Sequence, residues 1–319
     1  MSRISRHLAD KRLVVTGGTG FLGKHLQQAA SAEGLRNTRF LGSKDYDLTD
    51  PSEARRLIQE EQPDVLVNAA AVCGGIGANR AEPGRFFYAN AVMGLHLIEE
   101  ARRAGVQKFV QLGTVCSYPK HATPPFREDE LWDGYPEETN APYGLAKKML
   151  LVQLQAYREQ YDYNGVYVIP VNLYGPYDNF DLETSHVIPA LIRRFDDAMR
   201  LGYDTVTLWG DGTPSREFLH ARDAARGILL AAALYDQPEP VNLGTGREIT
   251  IRQLAELIAR EVGYTGGIAW DPSKPNGQPR RQLDTSRARE RLGFEPQISL
   301  EEGVAETIVW YRSALASTL

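Results

Sequence analysis

Arg12-Leu-Val-Val-Thr16, then Gly17-Gly18-Thr19-Gly20-Phe21-Leu22-Gly23, then Lys24-His-Leu-Gln-Gln-Ala-Ala30 follow one another without a break near the start of the chain. An apolar run leads into a glycine turn, and the turn leads into a helical stretch. Gly17 permits a tight turn, Gly20 a close approach of backbone to a pyrophosphate, and Gly23 close packing of helix on strand. Phosphates then sit at the helix N-terminus, with Thr19, Phe21 and Leu22 on the same turn. This strand, glycine turn and helix predict a dinucleotide site, and the spacing is Gly-x-x-Gly-x-x-Gly rather than Gly-x-Gly-x-x-Gly.

Working outward, Arg12–Thr16, Thr38–Leu41, Val65–Asn68, Lys108–Leu112 and Val166–Val171 are strand-like runs separated by longer amphipathic stretches. That alternation predicts an α/β fold, a Rossmann-like doubly wound parallel sheet with a smaller α/β substrate-binding lobe. Asp50-Pro51-Ser52-Glu53 marks a helix start: an N-cap acid, proline at the first helical position and an acid three residues after the cap. After Tyr174-Gly175-Pro176 the pattern loosens. The expected division is a dinucleotide-binding domain over residues 1–175 with 217–246 returning to it, and a substrate-binding lobe from 176–216 and 247–319.

Composition sets the class. A chain of 319 residues with 42% hydrophobic content can bury a full core. The net charge of -5 argues against a nucleic-acid partner. No stretch reaches the roughly 18 apolar residues of a membrane span, and the opening residues lack an apolar signal core. No membrane association and a cytoplasmic location are therefore expected. Cys73 and Cys116 are too few for a disulfide framework or a cysteine metal site, and no metal is expected.

Tyr143 and Lys147 stand four apart in a helical segment and project from one face. A lysine cation beside a tyrosine favours the phenolate and suits the pair to acid-base work. Thr114 follows the fourth predicted strand, at the end that faces the ligand crevice. With the glycine turn, these residues resemble the extended short-chain dehydrogenase/reductase family, in its nucleotide-sugar-modifying branch. Val72-Cys-Gly-Gly-Ile76, Val171-Asn-Leu-Tyr-Gly-Pro-Tyr-Asp-Asn-Phe180, Ser185-His-Val-Ile-Pro189 and Trp209-Gly-Asp-Gly-Thr-Pro-Ser-Arg-Glu-Phe-Leu-His220 extend the likeness over nearly the whole chain, and within that branch it is similar to the GDP-L-fucose synthases.

The resemblance implies an NADPH-dependent enzyme acting on a GDP-linked 4-keto-6-deoxy-hexose, with C3 and C5 epimerised and C4 reduced. It assigns Thr114, Tyr143 and Lys147 to reduction and Cys116 and His186 to epimerisation. Inversion beside a ketone needs two groups, one to remove a proton and one to return one from the opposite face, and a thiol and an imidazole suit that work. In isolation Cys116 also fits a small buried apolar residue, and His186 a helix-start residue bonded to backbone. A related GDP-deoxysugar or GDP-heptose reductase, a 4-epimerase, and a non-catalytic dinucleotide sensor stay open beside this reading.

For the cofactor, Phe40-Leu-Gly-Ser-Lys-Asp45 lacks an acid placed for the ribose 2′-hydroxyl, so Ser43 and Lys44 point to NADP(H). Asp45 or Asp47 serves as that acid if the strand boundary is off by about two residues. Asp47, Leu48, Asn68, Ala69, Ala70, Ala71, Leu112, Val171, Leu173 and His186 complete the expected cofactor contacts, with Tyr143 and Lys147. The second half supplies Arg194, Arg216, Lys274, Arg280 and Arg281 as cations for a diphosphate. Arg216 and Arg194 stand foremost, and Lys274, Asn172, Val187 and Trp209 are the other expected substrate contacts. The resemblance also implies a homodimer.

Overall fold

The five apolar runs, joined by Val241–Leu243, pair into a single parallel sheet. The strands are β1 (Leu13–Thr16), β2 (Thr38–Leu41), β3 (Val65–Asn68), β4 (Lys108–Leu112), β5 (Gly165–Pro170) and β9 (Val241–Leu243), in the order β2-β1-β3-β4-β5-β9. The coordinates are a computed structural model that describes residues 1–274 and 278–316. Every residue of β1, β3 and β4 is buried, as expected of a parallel sheet covered on both faces. Leu13 pairs with Thr38 on one side and with Val65 on the other. The strand order therefore reverses between β1 and β3, and the crevice at their carboxyl ends is the expected ligand site of such a sheet.

The expected Rossmann-like sheet is borne out, with small shifts. Arg12 stays outside β1, where its N–H donates to the Asp64 carboxylate at 2.8 Å instead of to a strand. β5 begins one residue early, because Gly165 pairs with Phe109. Covering helices are α1 (Arg3–Leu8), α2 (Phe21–Ala32), α3 (Pro51–Glu61), α4 (Ile76–Ala81), α5 (Pro83–Arg103), α6 (Ala141–Tyr161), α8 (Ala221–Leu234) and α10 (Ser286–Leu292). α3 starts where its sequence signal lies: Asp50 accepts from Ser52 N at 2.8 Å, and Pro51 opens the first turn. α5 and α6 approach closely at Gly94, where any side chain would run into Leu150.

After Pro170 the chain leaves the large sheet. β6 (Asn172–Tyr174), β8 (Ser215–His220) and β10 (Glu248–Thr250) form a three-stranded sheet, and β7 (Thr205–Trp209) pairs with β11 (Gly267–Asp271). α7 (Val187–Leu201), α9 (Ile251–Val262) and α11 (Leu300–Ala316) pack around them, with Phe195, Leu254, Ile258 and Ile308 in a second apolar cluster. In the segment 217–246, α8 and β9 join the large sheet's core, while Phe218–His220 pairs with β6, Asn172 standing opposite Phe218. Among the described residues no helix is long and apolar enough to cross a membrane.

Candidate active site

The glycine turn is fixed by backbone crowding. Gly17 has φ +68, and a Cβ there would lie 2.6 Å from the Ala69 carbonyl oxygen of the β3 end. A Cβ on Gly18 would lie 2.6 Å from the Phe40 Cα of β2, and one on Gly23 would run into the Gly17 carbonyl. The turn is thus wedged between both neighbouring strands, and only glycine fits. Gly20 is the N-cap of α2 with no side-chain cap, so the first-turn N–H groups of the helix have no side-chain acceptor. Thr19, Gly20, Phe21 and Leu22 line a cleft of about 1630 Å³, and Gly23 lies behind them as a packing residue.

On the adjoining wall, Ser43, Asp47 and Leu48 line the cleft, whereas Lys44 is exposed outside the lining. Asp45 is committed to its own turn, accepting from Gly42 N at 2.7 Å. Asp47 accepts from both the backbone and hydroxyl of Thr49 at 3.0 and 2.6 Å. Ala69, Ala70, Ala71, Leu112, Val171 and Leu173 also face the cleft. Asn68 does not. Its buried amide bridges Thr16 Oγ1 at 2.7 Å and Gln111 Oε1 at 2.9 Å, tying β1 to β3 and β4 beneath the floor. Neighbouring strands hold the right polar partners for it there, so it acts as a strand link.

The chemical residues meet over this floor: Thr114, Cys116, Tyr143, Lys147 and His186 all line the same cleft. α6 carries Tyr143 and Lys147, and Tyr167 OH secures its backbone by donating to Lys147 O at 2.9 Å. Lys147 Nζ reaches Ala70 O at 3.4 Å. Burial dominates the titration of both side chains. It lowers Lys147 to about 8 and holds the Tyr143 hydroxyl well above 10, with the charges of Cys73 and Cys116 adding to the rise and the Thr114 hydroxyl bond opposing it. The expected lowering of Tyr143 by the lysine is not seen: desolvation is the largest influence on its hydroxyl. At neutral pH Tyr143 carries its proton and Lys147 is mostly cationic.

Cys116 reaches the cleft by a different backbone from an extended strand. Thr114 is extended, but Val115–Ser117 form a 3₁₀ turn capped by Thr114 Oγ1, which accepts from Cys116 N at 3.2 Å. Ser117 Oγ donates to Gly144 O at 2.9 Å, and a side chain at Gly144 would run into the Cys116 carbonyl, so the turn is pressed against α6. His186 is the extended N-cap of α7 and makes no side-chain cap bond. It is open to the cleft yet set deep in the protein, and that burial lowers its pKa below 6.5. The loop at Gly75 holds the approach to His186, with Gly75 N donating to Thr184 O at 2.9 Å.

Asn172, Val187, Arg194, Trp209 and Arg216 line the same cleft. Asn172 Nδ2 donates to Glu217 O at 2.8 Å. Burial, with Arg281 nearby, lowers Arg216 to about 9, which leaves it cationic at pH 7. Lys274 is outside the lining, 5.9 Å from the Trp209 ring centroid, and Arg280 pairs with Glu248 at the surface. Cys73, Asp178 and Gln278, not selected from sequence, also line the cleft, and so does Arg281, one of the five cations expected for a diphosphate. Burial raises Asp178 to about 7. Arg281 had a sequence signal as a second-half cation, but nothing local separated it from Arg280.

The NAD dependent epimerase/dehydratase family matches residues 13–244. A probable GDP-L-fucose synthase 1 of Oryza sativa subsp. japonica is 40% identical over 307 residues, covering 95% of this chain and 93% of that protein. A GDP-L-fucose synthetase from Naegleria fowleri, solved bound to NADP, superposes with a TM-score of 0.89 at 29% identity, covering 97% of this chain and 96% of that one. A GDP-6-OMe-4-keto-L-xylo-heptose reductase from C. jejuni also superposes at 0.89, with 25% identity, 95% of this chain and 97% of that one.

Proposed function

The chain belongs to the NAD dependent epimerase/dehydratase family, and from that premise we propose an NADPH-dependent epimerase/reductase that inverts C3 and C5 of a GDP-linked 4-keto-6-deoxy-hexose and then reduces C4. The observation that carries this reading is the convergence of Tyr143, Cys116 and His186 on one cleft continuous with the glycine turn. NADP(H) fits that turn, because the backbone approaches there would be filled by any Cβ. Gly17, Thr19, Gly20, Phe21 and Leu22 would hold its phosphates, Ser43 its 2′-phosphate end, and Lys147 its ribose. When bound, it supplies the hydride for C4.

The chain's own groups do the rest. Cys116 removes the proton beside the ketone, and His186 returns one from the other face. Burial lowers the pKa of His186, which holds its ring mainly in the neutral form at pH 7, so it first takes up the proton it returns. Tyr143, held protonated by burial, gives its proton to the ketone oxygen as the alkoxide forms, with Thr114 bonded to the same hydroxyl. Arg194 and Arg216 face the diphosphate, whose charge a fixed guanidinium matches, and Asn172, Val187 and Trp209 line the sugar-nucleotide side.

Residues 1–171 with α8, β9 and α10 form the proposed cofactor domain, and β6, β8 and the rest of the second half the proposed substrate lobe. A homodimer is supported by apolar side chains exposed on α5 and α6, among them Phe87, Tyr88 and Val152, and a cytoplasmic location by two unpaired cysteines. The likeness to a heptose reductase favours a second reading, a GDP-heptose 4-reductase. Incubation with GDP-4-keto-6-deoxymannose and NADPH in deuterated water, followed by NMR, separates the two. Deuterium at both carbons flanking the ketone is the expected result, and Cys116→Ser should abolish it while retaining reduction of a sugar already inverted. Reduction by the wild type without exchange would leave only the reductase reading.

A further inference from the structure

Arg281 is held on the cleft wall by a chain of contacts that leaves one edge of its guanidinium free to face a thiol. The segment 278–283 runs along β8: Ser215 N donates to Pro279 O at 3.0 Å and Glu217 N to Arg281 O at 3.1 Å. Glu217, fully buried, returns from the same strand to accept from Leu283 N at 2.6 Å and from Gly246 N at 2.7 Å. The guanidinium itself is nearly buried. Its Nε and Nη2 donate to Gln278 Oε1 at 3.2 and 3.1 Å, and Gln278 Nε2 is anchored on Lys120 O at 2.9 Å. Nη1 then lies 3.7 Å from Cys116 Sγ.

A buried guanidinium remains charged and calls for an anionic partner. Among the described residues Arg281 has no carboxylate within ion-pair distance, and the thiol is the group placed to be that anion. Cys116 is fixed as firmly from its own side, by the Thr114 cap and by the pressure of α6 at Gly144. The charges of Arg216 from β8 and Tyr143 from α6 also reach this sulfur, and Tyr143 is neutral there.

We propose that Arg281 is the charge partner that holds Cys116 as a thiolate, making the thiol a competent base for epimerisation. This rests on the epimerase reading above. In the step, a sulfur lone pair takes the hydrogen, the S–H bond forms and the C–H bond breaks. The released pair becomes the carbon–carbon π bond, and the carbonyl pair moves to oxygen as an enolate. Arg281 keeps its proton throughout. It is a positioning residue that acts through Cys116.

The test is the rate of iodoacetamide alkylation against pH, read on the Cys116 peptide by mass spectrometry so that Cys73 is counted separately. An opposite charge at this range shifts a pKa by about 1–3 units. Arg281→Gln should therefore raise the apparent pKa of Cys116 and slow its alkylation at pH 7 by about tenfold or more, while Arg281→Lys restores part of the rate. Gln278→Ala keeps the cation but removes its tether, and should give a smaller rise in a protein whose β8 contacts are intact. Superimposable alkylation profiles for wild type, Arg281→Gln and Gln278→Ala overturn the proposal, and so would unchanged profiles in Gln278→Ala and Arg281→Lys if Arg281→Gln does not fold. Failure of the wild type to exchange deuterium defeats the epimerase reading instead, whatever the thiol titration shows.

Discussion

Tyr143 and Lys147 are brought together by one turn of one helix, whereas Cys116 and Arg281 are brought together across 165 residues of chain. The first pair needs only the 3.6-residue repeat of α6 to share a face. The second needs a 3₁₀ turn pressed on α6, a segment laid along β8, and a buried carboxylate at Glu217 to hold that segment. One half of the site is local geometry and the other is assembled by packing. The two halves also feel burial differently: it holds the Tyr143 proton on, while on the other side it leaves a guanidinium seeking a counter-charge.

The largest effect should come from the local pair. Tyr143→Phe is expected to lower the rate of reduction by about 10²–10⁴-fold, with NADPH affinity by fluorescence titration close to wild type and solvent-deuterium exchange retained. Exchange lost together with reduction would break the comparison, since the halves would then not act separately.

Lys147→Met tests the weight of burial on that pair. Lys147 titrates near 8 in the fold against 10.5 when exposed, so the unfolded chain binds more protons between those values, and stability rises with pH across that window. Below pH 8 the wild type therefore carries the full cost of the buried cation, on the order of 3 kcal/mol at 1.36 kcal/mol per unit. In urea unfolding the variant should gain most over wild type at pH 7.5, and the gain should shrink by pH 9.5. A gain independent of pH would mean that burial does not set this lysine's titration. Turnover should fall as well, because the lysine is proposed to act in the reduction.

Gly23→Ala probes the backbone-built floor. The methyl would run into the Gly17 carbonyl, and overpacking of this kind costs about 1–3 kcal/mol. Chemical denaturation should show that loss together with weaker NADPH binding, while Cys116 alkylation keeps its pH profile. A stable variant with normal affinity would show that the turn tolerates more than its geometry suggests.

The smallest effect is expected for Lys44→Ala. The side chain is exposed outside the cleft lining, and solvent-exposed charge contacts are weak, so the preference for NADPH over NADH by calorimetry should drop by no more than about fivefold. A complete loss of preference would place the lysine on the cofactor after all.

The sequence by itself determined the parallel sheet, the glycine turn and the Tyr143–Lys147 face. Each depends on contacts a few residues apart or on an apolar run long enough to be a buried strand, as at Val65–Asn68 and Lys108–Leu112. Its helix signal at Asp50-Pro51 was legible for the same reason. Tertiary structure decided the rest. Asn68 lies beneath the floor because Thr16 and Gln111 offer it partners from two other strands, and Phe218–His220 belongs to the small sheet because β6 lies beside it. Arg281 differs from Arg280 only in which side of its segment faces Cys116 and which faces Glu248. That choice is made by backbone hydrogen bonds to β8, between residues far apart in the chain, where no local periodicity carries it.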